Sequence, residues 1–266
     1  MTPPVFLNHF FLTLESSTFR AIRDANYLKT VFAPFEERTT RRNDSTYTGI
    51  YFYGRNTYFE FFEAGSEPGK VAGSSGIAFG VEVAGGAKSL SAQFPVQTII
   101  TRKTENSEPA WFHSGERASA QRTDFFRTWV MEYHVDFLKQ WYADLPPVNA
   151  NALRRRNVLD RYVAKIGQFD KRNEFLLKDV TSLEIALPAP ERQRFLDLLA
   201  ALGYQLNGPV ATGPEIRLHL PIASEGRAGI RQATFSLQRT IEGEMRQKLG
   251  ESELLLSPRG EAIWMF

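Results

Sequence analysis

The chain of 266 residues contains no cysteine. Disulfides, thiolate metal ligands and a cysteine nucleophile are therefore excluded, and any transition metal would have to be held by His and carboxylate side chains. A marked excess of positive or negative charge is also lacking, because 32 Lys and Arg residues nearly balance 30 Asp and Glu residues. Neither nucleic acid nor an anionic membrane surface is favoured by this balance, and a small molecule is the expected partner.

Long apolar runs and familiar loop motifs are absent as well. No apolar run approaches the 18 residues of a membrane-spanning helix, and the opening MTPPVFLNHFF lacks the basic region and cleavage site of a signal peptide. We therefore expect a cytoplasmic protein with no membrane partner. The sequence has no Walker A loop, no dinucleotide-binding glycine motif that opens a helix and no G-x-S-x-G elbow. A homodimer is compatible with the sequence.

Apolar alternation predicts a recurring order of strands and helices in the first half of the chain. The first round consists of a strand, a helix and three further strands, at residues 5–14, 16–32, 35–42, 46–53 and 56–63. A connector rich in Gly and Ser follows. The second round has the same order, at residues 76–83, 87–94, 96–103, 109–116 and 128–135. This recurrence indicates an internal repeat of roughly 70 residues.

The same order returns in the second half, after a bridge of two helices at 137–168 that is broken at Pro146 and Pro147. A third round is predicted at 179–188, 189–204 and 215–223, and a shortened fourth round at 229–238, a helix at 241–250 and a hairpin at 252–266. We therefore predict an α+β fold in which repeated βαβββ modules form curved mixed sheets in two module pairs. The predicted parts are an N-terminal pair at 1–145, a helical linker at 146–178 and a C-terminal pair at 179–266.

Two titratable side chains interrupt apolar strands of the first round. Because strand side chains alternate between faces, His9 shares a face with Phe11 and Thr13, and Glu60 shares a face with Tyr58 and Phe62. In the second round, the same alternation makes Glu132 and His134 neighbours on one face of a strand. If the two rounds curve into one trough, the four side chains can converge as ligands of Fe2+, Mn2+, Zn2+ or Ni2+, among which ligand type does not choose.

The unit VFLNHFFLTLESSTFR followed by YTGIYFYGRNTYFEFFE resembles the repeating module of the vicinal oxygen chelate superfamily. That superfamily includes glyoxalases, extradiol dioxygenases, fosfomycin-modifying enzymes and bleomycin-resistance proteins. The resemblance is close over 5–135 and loose over 179–266. It implies metal ligands on the first and last strands of two modules.

Carried over to this chain, those ligand positions are His9 and Glu60 in the first module and Gly76 and Glu132 in the second. Gly76 departs from the family's pattern, and His134 is the candidate replacement. In the second pair the equivalent positions hold Ser182 and Arg231, which bind no metal, so the resemblance implies one active pair.

Other side chains are candidates for contact with a substrate. Glu132 or Tyr53 could move a proton. The candidate substrate-binding residues are polar or aromatic side chains on predicted strands: Tyr51, Tyr58, Arg102, Trp111 and His113. The run Arg154–Arg156 could hold an anion, but a solvated helix face is the simpler interpretation, since consecutive helical residues point in different directions.

These observations favour a divalent-metal-dependent enzyme, of lyase, isomerase or dioxygenase type, that acts on a small oxygenated molecule in the trough. The alternative is a protein that binds or sequesters a small molecule without turnover. His9 and Glu60 favour the enzyme, whereas Gly76 favours the binding protein. A purely structural module is the third alternative, and it would place unrelated residues at the four ligand positions.

Overall fold

A computed structural model describes residues 3–67, 70–117, 125–140, 153–224 and 228–266. The protein has an α+β fold with two eight-stranded mixed sheets and few helices. The first sheet is formed by β1 (Phe6–Leu14), β2 (Phe35–Arg41), β3 (Thr46–Tyr53), β4 (Tyr58–Glu63), β5 (Ser75–Gly80), β6 (Val96–Thr101), β7 (Ala110–Glu116) and β8 (Phe126–Tyr133).

The second sheet is formed by β9 (Leu177–Ala186), β10 (Gln205–Asn207), β11 (Val210–Gly213), β12 (Ile216–His219), β13 (Gly229–Leu237), β14 (Met245–Leu249), β15 (Ser252–Ser257) and β16 (Glu261–Met265). The helices of the described residues are α1 (Ser16–Asp24), α2 (Gly86–Ser89), α3 (Val135–Lys139), α4 (Arg155–Lys165) and α5 (Ala189–Ala201), with a π-helical turn at Leu28–Phe32. No helix in these ranges combines the length and the apolar character needed to cross a membrane.

The two sheets have matching strand orders. The first runs β2-β3-β4-β1-β5-β8-β7-β6, and the second runs β10-β11-β12-β9-β13-β16-β15-β14. In the first sheet β1 is parallel to β4, β5 is parallel to β8, and β1 and β5 pair antiparallel at the centre. In the second sheet β9 is parallel to β12, but β13 and β16 are antiparallel.

The predicted helix at 241–250 is wrong. Met245–Leu249 is the edge strand β14, which pairs antiparallel with β15. Glycines with positive φ stand on either side of it, Gly243 at 74° and Gly250 at 63°, and this backbone conformation interrupts a helix. Parallel strands require a long crossover connection, so the loss of this helix agrees with the antiparallel pairing of β13 and β16.

The first sheet curls until its two edge strands meet at one end. Arg42, just after β2, forms an isolated antiparallel bridge with Arg102, just after β6. The Lys103 amide donates to the Arg41 carbonyl oxygen at 2.9 Å. The sheet is therefore a half-barrel with a distinct interior.

The convex face of the half-barrel packs on the second sheet. Trp264 of β16 is fully buried there and contacts Phe52, Phe59 and Phe61 with ring centroids 5.2–6.0 Å apart. Helices α1 and α5 add Phe19 and other apolar side chains to the same core. Apolar side chains on the outward face of β1 and β4 are thereby committed to the core, and the opposite face of these strands is left to line the interior.

Helix α4 fills one end of this interior. Its side chains Val158, Leu159 and Tyr162 join an apolar cluster with Tyr51 and Tyr53 of β3. The predicted helix of the linker segment therefore lies on the first sheet. Pro146 and Pro147, where the bridge was predicted to break, lie outside the described residues.

Arg155 fixes the beginning of α4. Its guanidinium is buried, contacts Glu82 at 3.0 Å and Glu215 at 2.7 Å, and donates to the Leu7 carbonyl oxygen at 2.7 Å. Arg155 is therefore a structural link between α4 and the two sheets, and the suggested solvated face does not describe it.

Candidate functional site

The half-barrel interior contains a cavity of about 380 Å³ beside the α4 plug. Its walls come from the inward faces of β1, β4, β7 and β8, from the β2–β3 turn and from the segment that joins β4 to β5. The volume lies within the range of small-molecule sites. Eight Phe, Tyr and Trp side chains line the cavity, together with polar and charged side chains that include His9 and Glu60.

His9 and Glu60 lie close together on this wall. Each is on the strand face that the alternation of β1 and β4 predicts. The His9 Nε2 atom lies 3.7 Å from the Glu60 Oε1 atom, and both residues are buried. The Nδ1 atom of His9 lies 2.9 Å from the Asn8 Oδ1 atom. Because a carbonyl oxygen only accepts, Nδ1 carries the proton and Nε2 presents its lone pair toward Glu60.

Burial disfavours the charged form of both members of this pair. It lowers the pKa of His9 to about 3, because the imidazolium form would lose its hydration. It also raises the pKa of Glu60 to about 7, although the charges of Arg38 and Lys70 and a hydrogen bond from Tyr58 oppose this rise. Near neutral pH the pair therefore combines a hydrogen-bond acceptor with a carboxyl group that can gain or lose a proton, which suits general acid–base chemistry.

Glu132 does not join this pair. Its carboxylate accepts hydrogen bonds from the Gly85 amide at 2.8 Å and the Ala87 amide at 2.9 Å, at the beginning of α2. Glu132 shares the convex face of β8 with Val130, and Trp129 and Met131 face the cavity instead. The predicted faces within β8 are correct, but the face that carries Glu132 is the one covered by the helix.

His134 and His113 also lie away from the pair. The His134 Nδ1 atom accepts from the Asp136 amide at 3.2 Å, which caps α3. The His113 ring lies 5.1 Å from the His134 ring. Of the four predicted metal ligands, the structure brings only His9 and Glu60 together.

The predicted substrate-binding residues divide between the cavity and its closed end. Tyr58 and Trp111 line the cavity, and Tyr58 stacks on His9 with ring centroids 4.4 Å apart. Tyr51 and Tyr53 lie under α4, where the Tyr53 hydroxyl donates to Glu36 at 2.6 Å. Arg102 donates to the Tyr162 hydroxyl at 3.3 Å and is also at this closed end.

A sequence profile described as "Family of unknown function (DUF5829)" matches residues 7–266. The chain belongs to this family. No curated protein matches it. The matched part of this DUF5829 chain contains strands of both sheets, helix α4, and both His9 and Glu60.

A catalytic metal ion is typically held by three protein ligands and keeps a further coordination position open. Within the described ranges, no three His, Asp or Glu side chains lie close enough together to hold a metal ion. Position 76 could not supply the third, because a Cβ atom on Gly76 would lie 2.5 Å from the Arg127 carbonyl oxygen and 2.7 Å from the Phe11 ring. The described residues therefore bring together two of the four predicted ligands, His9 and Glu60, and place no third donor beside them.

Sequence reasoning missed Lys70 and the contacts among the aromatic side chains around it. Phe11 and Phe62 were placed on the correct faces by alternation, and both line the cavity. Lys70 belongs to the Gly- and Ser-rich connector, where no periodic pattern assigns a direction to a side chain. Its ammonium lies 3.5 Å from the centroid of the Phe62 ring.

Proposed function

We propose that the half-barrel of this DUF5829 protein binds a small organic molecule with an apolar or aromatic body, without a resident metal. The observation that carries the proposal is the cavity of about 380 Å³, in which aromatic rings lie beside the buried His9 and Glu60 pair. Aromatic walls with a few converging polar groups are typical of small-molecule sites. In this arrangement Nε2 of His9 accepts from the ligand, and Glu60 exchanges a proton with it.

We further propose that the half-barrel is a vicinal oxygen chelate-like pair of βαβββ modules. The order of β1, α1 and β2–β4 recurs in β5, α2 and β6–β8, and the first and last strands of each group are adjacent and parallel. The proposed function is then similar to that of the superfamily members that bind small molecules without turnover.

Binding should be visible through the tryptophans of the cavity. Trp111 and Trp129 line it, whereas Trp264 is buried between the sheets. We expect at least one compound of a panel containing phenol, benzoate, indole and benzylamine to quench tryptophan fluorescence saturably and to raise the melting temperature. The quenching should shrink in Trp129→Phe and persist in Trp264→Phe. A panel that gives neither saturable quenching nor a thermal shift would refute a binding site in the cavity.

Metal content separates this proposal from the metalloenzyme hypothesis. His9 and Glu60 supply two donors, so protein purified without chelators should hold far less than one equivalent of Fe, Mn, Zn or Ni by elemental mass spectrometry, and chelation should not lower its melting temperature. One equivalent of metal that is lost in His9→Ala and retained in His113→Ala would instead restore the metalloenzyme.

A further inference from the structure

Three aromatic rings on the cavity wall surround an ammonium group. The Nζ atom of Lys70 lies 3.5 Å from the ring centroid of Phe62, 5.4 Å from that of Tyr47 and 5.6 Å from that of Phe11. The Phe62 ring meets the other two edge to face, at 5.5 and 5.8 Å. Aromatic faces attract cations, most strongly where water is excluded. We call Phe11, Tyr47 and Phe62 the aromatic cage.

Two glycines make room for the cage. A Cβ atom on Gly49 would lie 2.6 Å from the Phe62 ring, and one on Gly76 would lie 2.7 Å from the Phe11 ring. Neither glycine has a positive φ, so backbone conformation does not require glycine at either position. The absence of a side chain at 49 therefore leaves room for the Phe62 ring, and its absence at 76 leaves room for both the Arg127 carbonyl oxygen and the Phe11 ring.

The charges around the cage suit a cation. Glu60 lies two residues before Phe62 on the same face of β4, and Glu67 also lines the cavity. Two neighbouring arginines contact carboxylates: Arg42 makes two hydrogen bonds to Asp44, and Arg127 lies 3.9 Å from Glu116. A ligand cation that replaced the Lys70 ammonium would restore the positive charge beside Glu60 and Glu67.

Lys70 reaches the cage from outside the sheet. The three rings belong to strands β1, β3 and β4, whereas Lys70 belongs to the segment between β4 and β5. Its four-carbon stem can hold the ammonium elsewhere without a change in any strand. Aromatic faces attract charge without offering a directed hydrogen-bond acceptor, so a methylated ammonium fits them as well as a primary one does.

We propose that the cage binds the cationic head of an alkylammonium ligand and that Lys70 occupies it as an internal competitor. This inference rests on the proposed small-molecule function and names the class of ligand. The body of the ligand would then lie along the aromatic wall toward His9 and Glu60.

The test compares choline with its neutral isostere 3,3-dimethylbutan-1-ol, and benzyltrimethylammonium with benzyl alcohol, by calorimetry on the full chain. We expect each cation to bind about tenfold tighter or more than its neutral partner. Lys70→Ala should tighten binding of the cations severalfold, because it removes the competitor. Lys88→Ala, at an exposed position on α2, is the matched control and should leave affinity unchanged.

Variants of the cage complete the test. Phe62→Leu should abolish the preference for the cation, and Tyr47→Leu, at a half-buried position, provides a second variant if Phe62→Leu does not fold. Equal affinity for cation and isostere, or weaker cation binding in Lys70→Ala, would overturn the cage while leaving the small-molecule site intact. If no compound of either kind binds or quenches Trp129, the proposed function fails and the cage assignment fails with it.

Discussion

Glu60→Gln should stabilise the protein at pH 8 by about 3 kcal/mol and have almost no effect at pH 4. Burial raises the pKa of Glu60 from 4.5 to about 7, so the folded state retains a proton that the unfolded state has released. Stability is therefore lost as pH rises from 4.5 to 7, and the amide, which resembles the protonated carboxyl, removes that loss. Urea unfolding at the two pH values measures the difference.

The matched control is Glu132→Gln, which makes the same chemical change on the other face of the sheet. Its carboxylate accepts from two backbone amides, so the amide group of Gln would turn a donor toward one of them. We expect a loss of about 1–3 kcal/mol at pH 8, where Glu60→Gln should stabilise the protein. Destabilisation by Glu60→Gln at pH 8 would contradict the raised pKa of a buried Glu60 carboxyl on the cavity wall.

His9 influences stability in the opposite sense. Its pKa is lowered from 6.5 to about 3, so only the unfolded state takes up a proton between these values, and stability falls as pH falls through that range. Between pH 4.5 and 6.5 the folded state holds one proton on Glu60 and the unfolded state holds one on His9. The pair therefore contributes a nearly flat region of stability in that interval.

Trp264→Ala should destabilise the protein by about 3–5 kcal/mol, a large fraction of the stability of an ordinary domain. Trp264 is fully buried and packs against Phe52, Phe59 and Phe61 of the half-barrel, so its removal leaves a cavity between the two sheets. Denaturant unfolding should show one transition with a lower midpoint. The adjacent Met265→Ala is the control, since Met265 is 38% exposed, and it should cost far less. Equal effects of the two substitutions would mean that the sheets do not share one core.

The pairing of His9 with Glu60 was predictable because period two fixes which side chains of one strand share a face. The adjacency of β1 and β4 is implied by the resemblance to the vicinal oxygen chelate module, whose metal ligands lie on its first and last strands. For Glu132, alternation alone does not predict the surroundings of the side chain. Alternation groups it with Val130, but whether that face turns inward depends on how the sheet curls and on where α2 lies. A carboxylate in a strand can serve a helix cap as readily as a metal.

The parts of the site that depend on long-range packing could not be predicted. Helix α4 was expected from its sequence, but its position inside the half-barrel depends on contacts of Arg155 with residues far away in the chain. Lys70 lies in a connector, where sequence gives composition but no direction. The sequence shows Gly76 only as a missing ligand. Its steric role, which is to leave room for the Phe11 ring, depends on the fold that places the ring beside it.

Tyr162 of α4 closes one end of the half-barrel interior. Tyr162 accepts hydrogen bonds from Trp111 and Arg102 and stacks on Tyr53, so it separates the open part of the interior from the polar groups around Arg38. A smaller residue at position 162 would extend the cavity toward Glu36 and Arg38 without altering any strand. In the proposed binding site, the helix would therefore limit the length of the ligand, and the aromatic cage would determine its charge.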